Sequence, residues 1–196
     1  MKRAAVGFRV HSGWTALVVL AVEEGAPLVL ARDRVHLVET FTYEFRQPYH
    51  TAERMPLEKA SRFVGRVRDE AQQLALSTIR KLMADMGDQG YRLTGCGVMT
   101  SSRKVVQNLA EIVKSHALIH SADGQLFRES ILDAAKRCRL PSYIAVERNA
   151  LANLALKLRI ADPVLAQRVA ALRRPLGPPW SQDEKLATIV AWLAII

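Results

Sequence analysis

The chain has 196 residues, 49% hydrophobic and 24% charged, with a net charge of +9 and a pI near 10.0. Those values exclude a disordered or disulfide-stapled class and fit one globular domain of the usual ~100–200 residues. Only Cys96 and Cys138 are cysteines, and their isolation excludes a zinc ribbon and points to a reducing, cytoplasmic compartment.

In chain order, residues 4–10, 14–22 and 28–38 are apolar, β-branched runs, and the breaks between them are His11-Ser12-Gly13 and Glu23-Glu24-Gly25. Short glycine-containing breaks between such runs signal hairpins, so a three-strand antiparallel meander is expected. The basic start, Met1-Lys2-Arg3, reads as the lead into the first strand, because Arg9 and His11 interrupt any signal-like apolar stretch. Val35, Leu37, Phe41, Tyr43 and Phe45 keep to odd positions, which extends the third strand toward residue 45. Residues 46–56, with Pro48 and Pro56, read as a loop.

Ala60, Phe63, Val64, Val67, Ala71, Leu74 and Ile79 then repeat at helical spacing, predicting a helix from Leu57 to Met86 that ends at Gly87. A strand is expected at Tyr91–Met99, followed by helices at Ser102–His120 and Gln125–Arg139 with Gly124 turning between them. Tyr143–Val146 reads as a buried strand after Pro141. Helices follow at 147–160, 163–173 and 182–195, the last two joined by Pro175-Leu176-Gly177-Pro178-Pro179. The longest apolar run, Ala187 to Ile196 with Thr188 inside it, falls well short of the ~20 residues a membrane span needs, so no membrane partner is expected. The two later strands enter through long helical crossovers, which favours parallel pairing.

This order, together with Gly7-Phe8-Arg9-Val10-His11-Ser12-Gly13-Trp14, resembles the ribonuclease H-like superfamily in its Holliday-junction-resolvase branch. There a glycine and an apolar residue precede a catalytic aspartate, and a tight polar turn leads into the second strand. The resemblance spans residues 4–196 in element order. It implies an α/β fold with a five-stranded mixed sheet, a three-strand meander plus two parallel strands, flanked by helices. The first strand would be central, between the second and fourth, and residues 1–196 would make one ribonuclease H-like domain. It also implies a departure. Arg9, or His11 in a shifted alignment, stands where the first catalytic aspartate belongs. Two-metal phosphodiester hydrolysis needs several carboxylates around ions ~3.5–4 Å apart, and arginine cannot ligate a cation. The fourth strand ends in Thr100-Ser101-Ser102, without a carboxylate. Glu147 after the fifth strand, and Asp183 at the family's place for a last-helix carboxylate, complete a degenerate metal site.

In open α/β sheets, sites lie beyond the carboxyl ends of the central strands. His11, Glu147 and Asp183 are therefore the candidate catalytic residues, and Arg9, Ser101, Ser102 and Arg148 the candidate ligand-binding residues. Ser101 or Ser102 would cap a helix, whose amides can take an anion or serve only the cap. His116 and His120 stand four apart behind Val105, Leu109 and Ile112. That spacing can hold a metal from one helix face, with Asp123 and His11 as additional ligands, or can place two histidines at the core edge. Ala117 occupies the position of a zinc hydrolase glutamate. Glu129 and Asp123 are candidate acid–base partners for these histidines. Phe41 to His50 interleaves aromatic and basic groups, which suits base stacking, although a strand packed on the long helix explains the same alternation. Ser181 caps the last helix with Asp183 and Glu184 in its first turn, Lys185 could neutralise Asp183, and Trp180 reads as a packed anchor.

Three readings stay open. The leading one is a nucleic-acid-associated or regulatory binding protein held to its partner by weak electrostatics, as the net charge suggests. Scattered basic residues on a solvated surface, such as Arg62, Arg66, Arg68, Lys136 and Arg173, account for that charge as well. The second is a hydrolase or phosphotransfer enzyme using His11, His116, His120 and Glu147. The third is a homodimeric or structural module with the last helix in its interface. The sequence names no cofactor.

Overall fold

The computed structural model describes residues 1–101 and 108–196. Three long strands open the chain: β1 (Lys2–His11), β2 (Trp14–Glu23) and β3 (Ala26–His36). Gly13 and Gly25 take positive φ of 81° and 77° in the two hairpin turns, a conformation that costs glycine little. β1 pairs antiparallel with β2, and β2 with β3. β4 (Tyr91–Thr100) then pairs parallel with β1, and β5 (Ser142–Val146) parallel with β4, giving the order β3-β2-β1-β4-β5. The five-stranded mixed sheet with a central first strand is the one expected.

β3 ends earlier than its alternation suggested. β2 begins at Trp14, opposite His36, so β3 has no partner to pair with beyond that point. The chain instead folds over the sheet end. Leu37 donates its amide to the Gly13 carbonyl (2.9 Å), and Leu37 and Val38 are buried. Two short helices follow where a strand extension and a loop were expected: α1 (Tyr43–Arg46) and α2 (Pro48–Ala52). Pro48 sits in the first turn of α2, where its missing N–H costs nothing.

α3 (Leu57–Asp88) runs the length of the sheet. It passes through Gly87, and the turn into β4 falls at Gly90, with φ of 83°. The expected helix from Ser102 lies partly outside the described residues, as do Ser102 and Val105. What is described is α4 (Leu109–Ile112) and α5 (His116–Arg137). Gly124 lies inside α5 and turns nothing; a buried face of Ile119, Ala122, Leu126, Phe127 and Ile131 carries the helix through it. After β5 come α6 (Glu147–Leu158), α7 (Asp162–Ala171), α8 (Arg173–Leu176) and α9 (Gln182–Ile195).

Two cores form on the two faces of the sheet. Val6, Phe8 and Val10 of β1 meet α2, α3 and α5 on one face. On the other, α9 packs on the sheet, and α6 and α7 pack around α9. α9 is apolar on nearly every side because it is buried on nearly every side. Its burial against the sheet overturns the expectation that it forms an intermolecular interface. It also lies unusually close to the strands. A Cβ on Gly7 would stand 2.0 Å from the Ala187 carbonyl oxygen, one on Gly97 2.2 Å from that of Val190, and one on Gly95 2.4 Å from that of Ala194. Among the described residues, no helix is long and apolar enough to cross a membrane.

One arginine fixes the connector before α9. Arg32 on β3 donates from Nη2 to the carbonyls of Leu176 (2.8 Å) and Pro178 (3.1 Å), and from Nη1 to those of Gly177 (3.0 Å) and Pro179. Trp180 anchors the same segment, buried and donating its indole N–H to the Val169 carbonyl (3.0 Å). Charge-assisted hydrogen bonds are worth about 1.5–3 kcal/mol. Arg32→Ala is therefore expected to cost about that much in a denaturant melt, and to open residues 176–179 to limited proteolysis.

Candidate nucleic-acid interface at the strand ends

α9 enters at the carboxyl end of β1, and its N-terminus is built locally. Ser181 accepts from the Asp183 amide (3.2 Å) while Glu184 accepts from the Ser181 amide (2.7 Å), a complete capping box. Burial pushes the Glu184 carboxyl up, but the Ser181 hydroxyl and amide outweigh it and hold the group below the usual carboxylate range. The cap turns Asp183 toward the sheet, where its Oδ1 meets His11 Nε2 at 2.9 Å. His11, and not Lys185, is thus its partner. The His11 ring also stacks on Trp14, with centroids 4.2 Å apart and planes 7° from parallel.

Two residues earlier on β1, and so on the same face, Arg9 reaches Glu147. Arg9 Nη2 and Glu147 Oε2 are 2.9 Å apart, and Arg9 Nη1 donates to the Val10 carbonyl (3.2 Å). Glu147 is the first residue of α6, so its position follows from β5 ending beside β4. Arg9 Nε is buried without a hydrogen-bond partner among the described residues. A second arginine, Arg128 of α5, lies near enough that burial first and the Arg9 charge second push its pKa down. The strand ends thus hold four paired groups, Arg9–Glu147 and His11–Asp183, in a positive surround. Each carboxylate already has a basic partner, so neither is available to a cation without losing it.

The other candidates are placed as follows. Ser101 is exposed, one residue past β4; the described helix cap beyond it is Asn108, which accepts from the Ala110 amide (2.9 Å). Arg148 is exposed on α6 and lines a cleft of about 400 Å³ with Glu147, Gln182 and Lys185. His116 and His120 do not join this group. They stand on α5 in the opposite layer, against His50 of α2, which takes His11 out of any shared ligand set. Asp123 does meet a histidine, but it is His50. Glu129 accepts from Gln125 (2.9 Å).

The aromatic–basic segment wraps the end of the sheet, not its edge. Phe41 stacks on His36 at 4.0 Å, and the Arg46 guanidinium lies 4.5 Å from the Phe41 centroid. The Arg34 guanidinium lies 4.1 Å from the Trp14 ring. These rings are therefore already paired with cationic groups. The pairing of Arg34 with Trp14 was not legible in the sequence, because cross-strand neighbours are set by the β2–β3 register, which no local spacing encodes.

No family model matches the chain, and no curated protein does. Solved structures do. The chain is similar to the Thermus thermophilus RuvC structure at 14% identity and a TM-score of 0.52, over 96% of this chain and 90% of that one. It is similar to T. thermophilus RuvC in complex with a Holliday junction substrate at 15% identity and a TM-score of 0.53, over 97% and 90%. The fold is ribonuclease H-like. Within that class it takes the form seen in the RuvC structures.

Proposed function

We propose that this chain binds nucleic acid electrostatically at the carboxyl ends of β1, β4 and β5, and does not cleave it by a two-metal route. The observation that carries this reading is the Arg9–Glu147 ion pair at 2.9 Å. A guanidinium at the strand position that should bring the first carboxylate repels a divalent ion. The same guanidinium attracts a phosphate, and Arg128, Arg148 and Arg46 extend the positive surface around it. The net charge of +9 supports the same partner. The likeness to RuvC, solved with a Holliday junction substrate, makes branched DNA the first ligand to test.

Fluorescence anisotropy with a four-way junction, a linear duplex and an RNA–DNA hybrid tests the binding. Affinity should fall linearly on a log–log plot against salt, by about 0.9 per phosphate neutralised on duplex DNA. Stoichiometry in the same titration distinguishes one bound chain from a homodimer. Incubation with Mg²⁺ or Mn²⁺ should yield no products above background. Robust turnover lost in both Glu147→Ala and Asp183→Ala would overturn the reading, as would no binding at low salt.

A further inference from the structure

On the opposite face of the sheet from the paired carboxylates, three histidines come together. His50 belongs to α2, and His116 and His120 lie one helical turn apart at the start of α5. One ring nitrogen from each falls within 4.8 Å of the others. His116 Nε2 and His120 Nε2 are 3.0 Å apart. Two nitrogens bound to one zinc ion at ~2.0–2.1 Å in tetrahedral geometry stand about 3.3 Å apart, so small rotations of exposed rings suffice to admit an ion. The cluster is independent of the interface described above.

The support beneath it is what distinguishes this cluster from histidines that happen to be adjacent. Asp123 is 1% exposed, one turn below His120 on α5. It accepts from the Tyr49 amide at 2.7 Å through Oδ1, and its Oδ2 meets His50 Nδ1. A carboxylate that holds one ring nitrogen fixes the imidazole's orientation and presents the other nitrogen, Nε2, as a ligand. The same carboxylate takes up an amide from the first turn of α2, so it fixes the helix that carries His50 as well as the ring itself.

We propose that His50, His116 and His120 form a binding centre for Zn²⁺ or a chemically similar borderline divalent ion, with Asp123 as the group that positions His50. Imidazole ligands select such ions over Mg²⁺ and Ca²⁺, which require oxygen. His116 and His120 are exposed, so a fourth coordination position faces solvent. Three protein ligands with an open fourth position is the pattern of catalytic zinc, whereas structural zinc is closed by four.

The test uses the full chain stripped with a chelator, then titrated with Zn²⁺ by calorimetry and with Co²⁺ by visible absorption. One equivalent per chain, the intense d–d bands of tetrahedral Co²⁺ and a thermal midpoint that rises with Zn²⁺ are the expected results. The double variant His116→Ala/His120→Ala, altered only at exposed positions, should stay folded and lose all three. Asp123→Asn should weaken binding by about 10–100-fold, as outer-shell substitutions do. His11→Ala should leave binding unchanged. No Zn²⁺ uptake by the native chain would overturn the proposal, as would binding that survives the double variant or disappears with His11→Ala. DNA affinity in the double variant should match the native value, so the two sites can fail separately.

Discussion

Gly7→Ala should cost about 3 kcal/mol, a large share of the ~5–15 kcal/mol that holds a typical domain together. The methyl group would stand 2.0 Å from the Ala187 carbonyl oxygen, 2.6 Å from the Ala191 amide nitrogen and 2.9 Å from the Ala191 Cβ. Two of these are backbone atoms, which cannot rotate away as a flexible side chain would. The chain must then separate α9 from the sheet along its length, since Gly97 and Gly95 make the same approach to Val190 and Ala194. That separation removes dispersion contacts across a densely packed layer. It also withdraws Asp183 from His11, because the capping box moves with the helix. Gly65→Ala is the internal control. It lies within α3 with nothing within 4 Å of the added Cβ, and it should stabilise by about 0.5–1 kcal/mol. Paired denaturant melts of the two variants check both signs. A Gly7→Ala protein as stable as the native one would show that α9 does not sit where the structure has it.

Arg9→Asp should invert the ion preference of the strand ends. The native residue holds Glu147 in an ion pair and contributes a positive charge toward a phosphate. The substitution changes the local charge by two and puts a carboxylate on the same strand face as His11, with Glu147 and Asp183 alongside. Three carboxylates around one point suit a hard divalent ion, with His11 admitting Mn²⁺ more readily than Mg²⁺. DNA affinity should drop by about 10–100-fold, equivalent to ~1.4–2.8 kcal/mol, and the salt slope should shrink by about one unit. In the same variant, Mn²⁺ should raise the thermal midpoint, which it should not do through these residues in the native chain. Calorimetric Mn²⁺ titration of both proteins, each with His116→Ala/His120→Ala in the background, isolates this effect from the histidine cluster. Equal DNA affinity in native and Arg9→Asp chains would remove Arg9 from the interface.

The sequence by itself determined the strands and the directions in which they run, while the place of β1 at the centre was what the resemblance implied. Gly13 and Gly25 mark hairpins that close within a few residues, and a crossover helix of more than twenty residues leaves β4 little choice but to run parallel to β1. It also determined the α9 cap, because Ser181 and Glu184 act within one turn of each other. The departure at Arg9 was legible for the same reason: a residue type at a known strand position can be read without coordinates.

Only the tertiary structure decided who meets whom. Local patterning extended β3 to residue 45, whereas the end of its partner strand stopped it at His36. Gly124 looked like a turn until packing against α3 carried α5 through it. His116 and His120 showed their spacing in the sequence, but His50 lies more than sixty residues earlier and reaches them only because α2 crosses the sheet end onto α5. Asp123 gave no sign of belonging to His50. Helical and strand periods are properties of consecutive residues and survive in a one-dimensional reading. A side-chain cluster drawn from separate elements depends on how those elements pack, and packing is settled by burial summed over the whole chain.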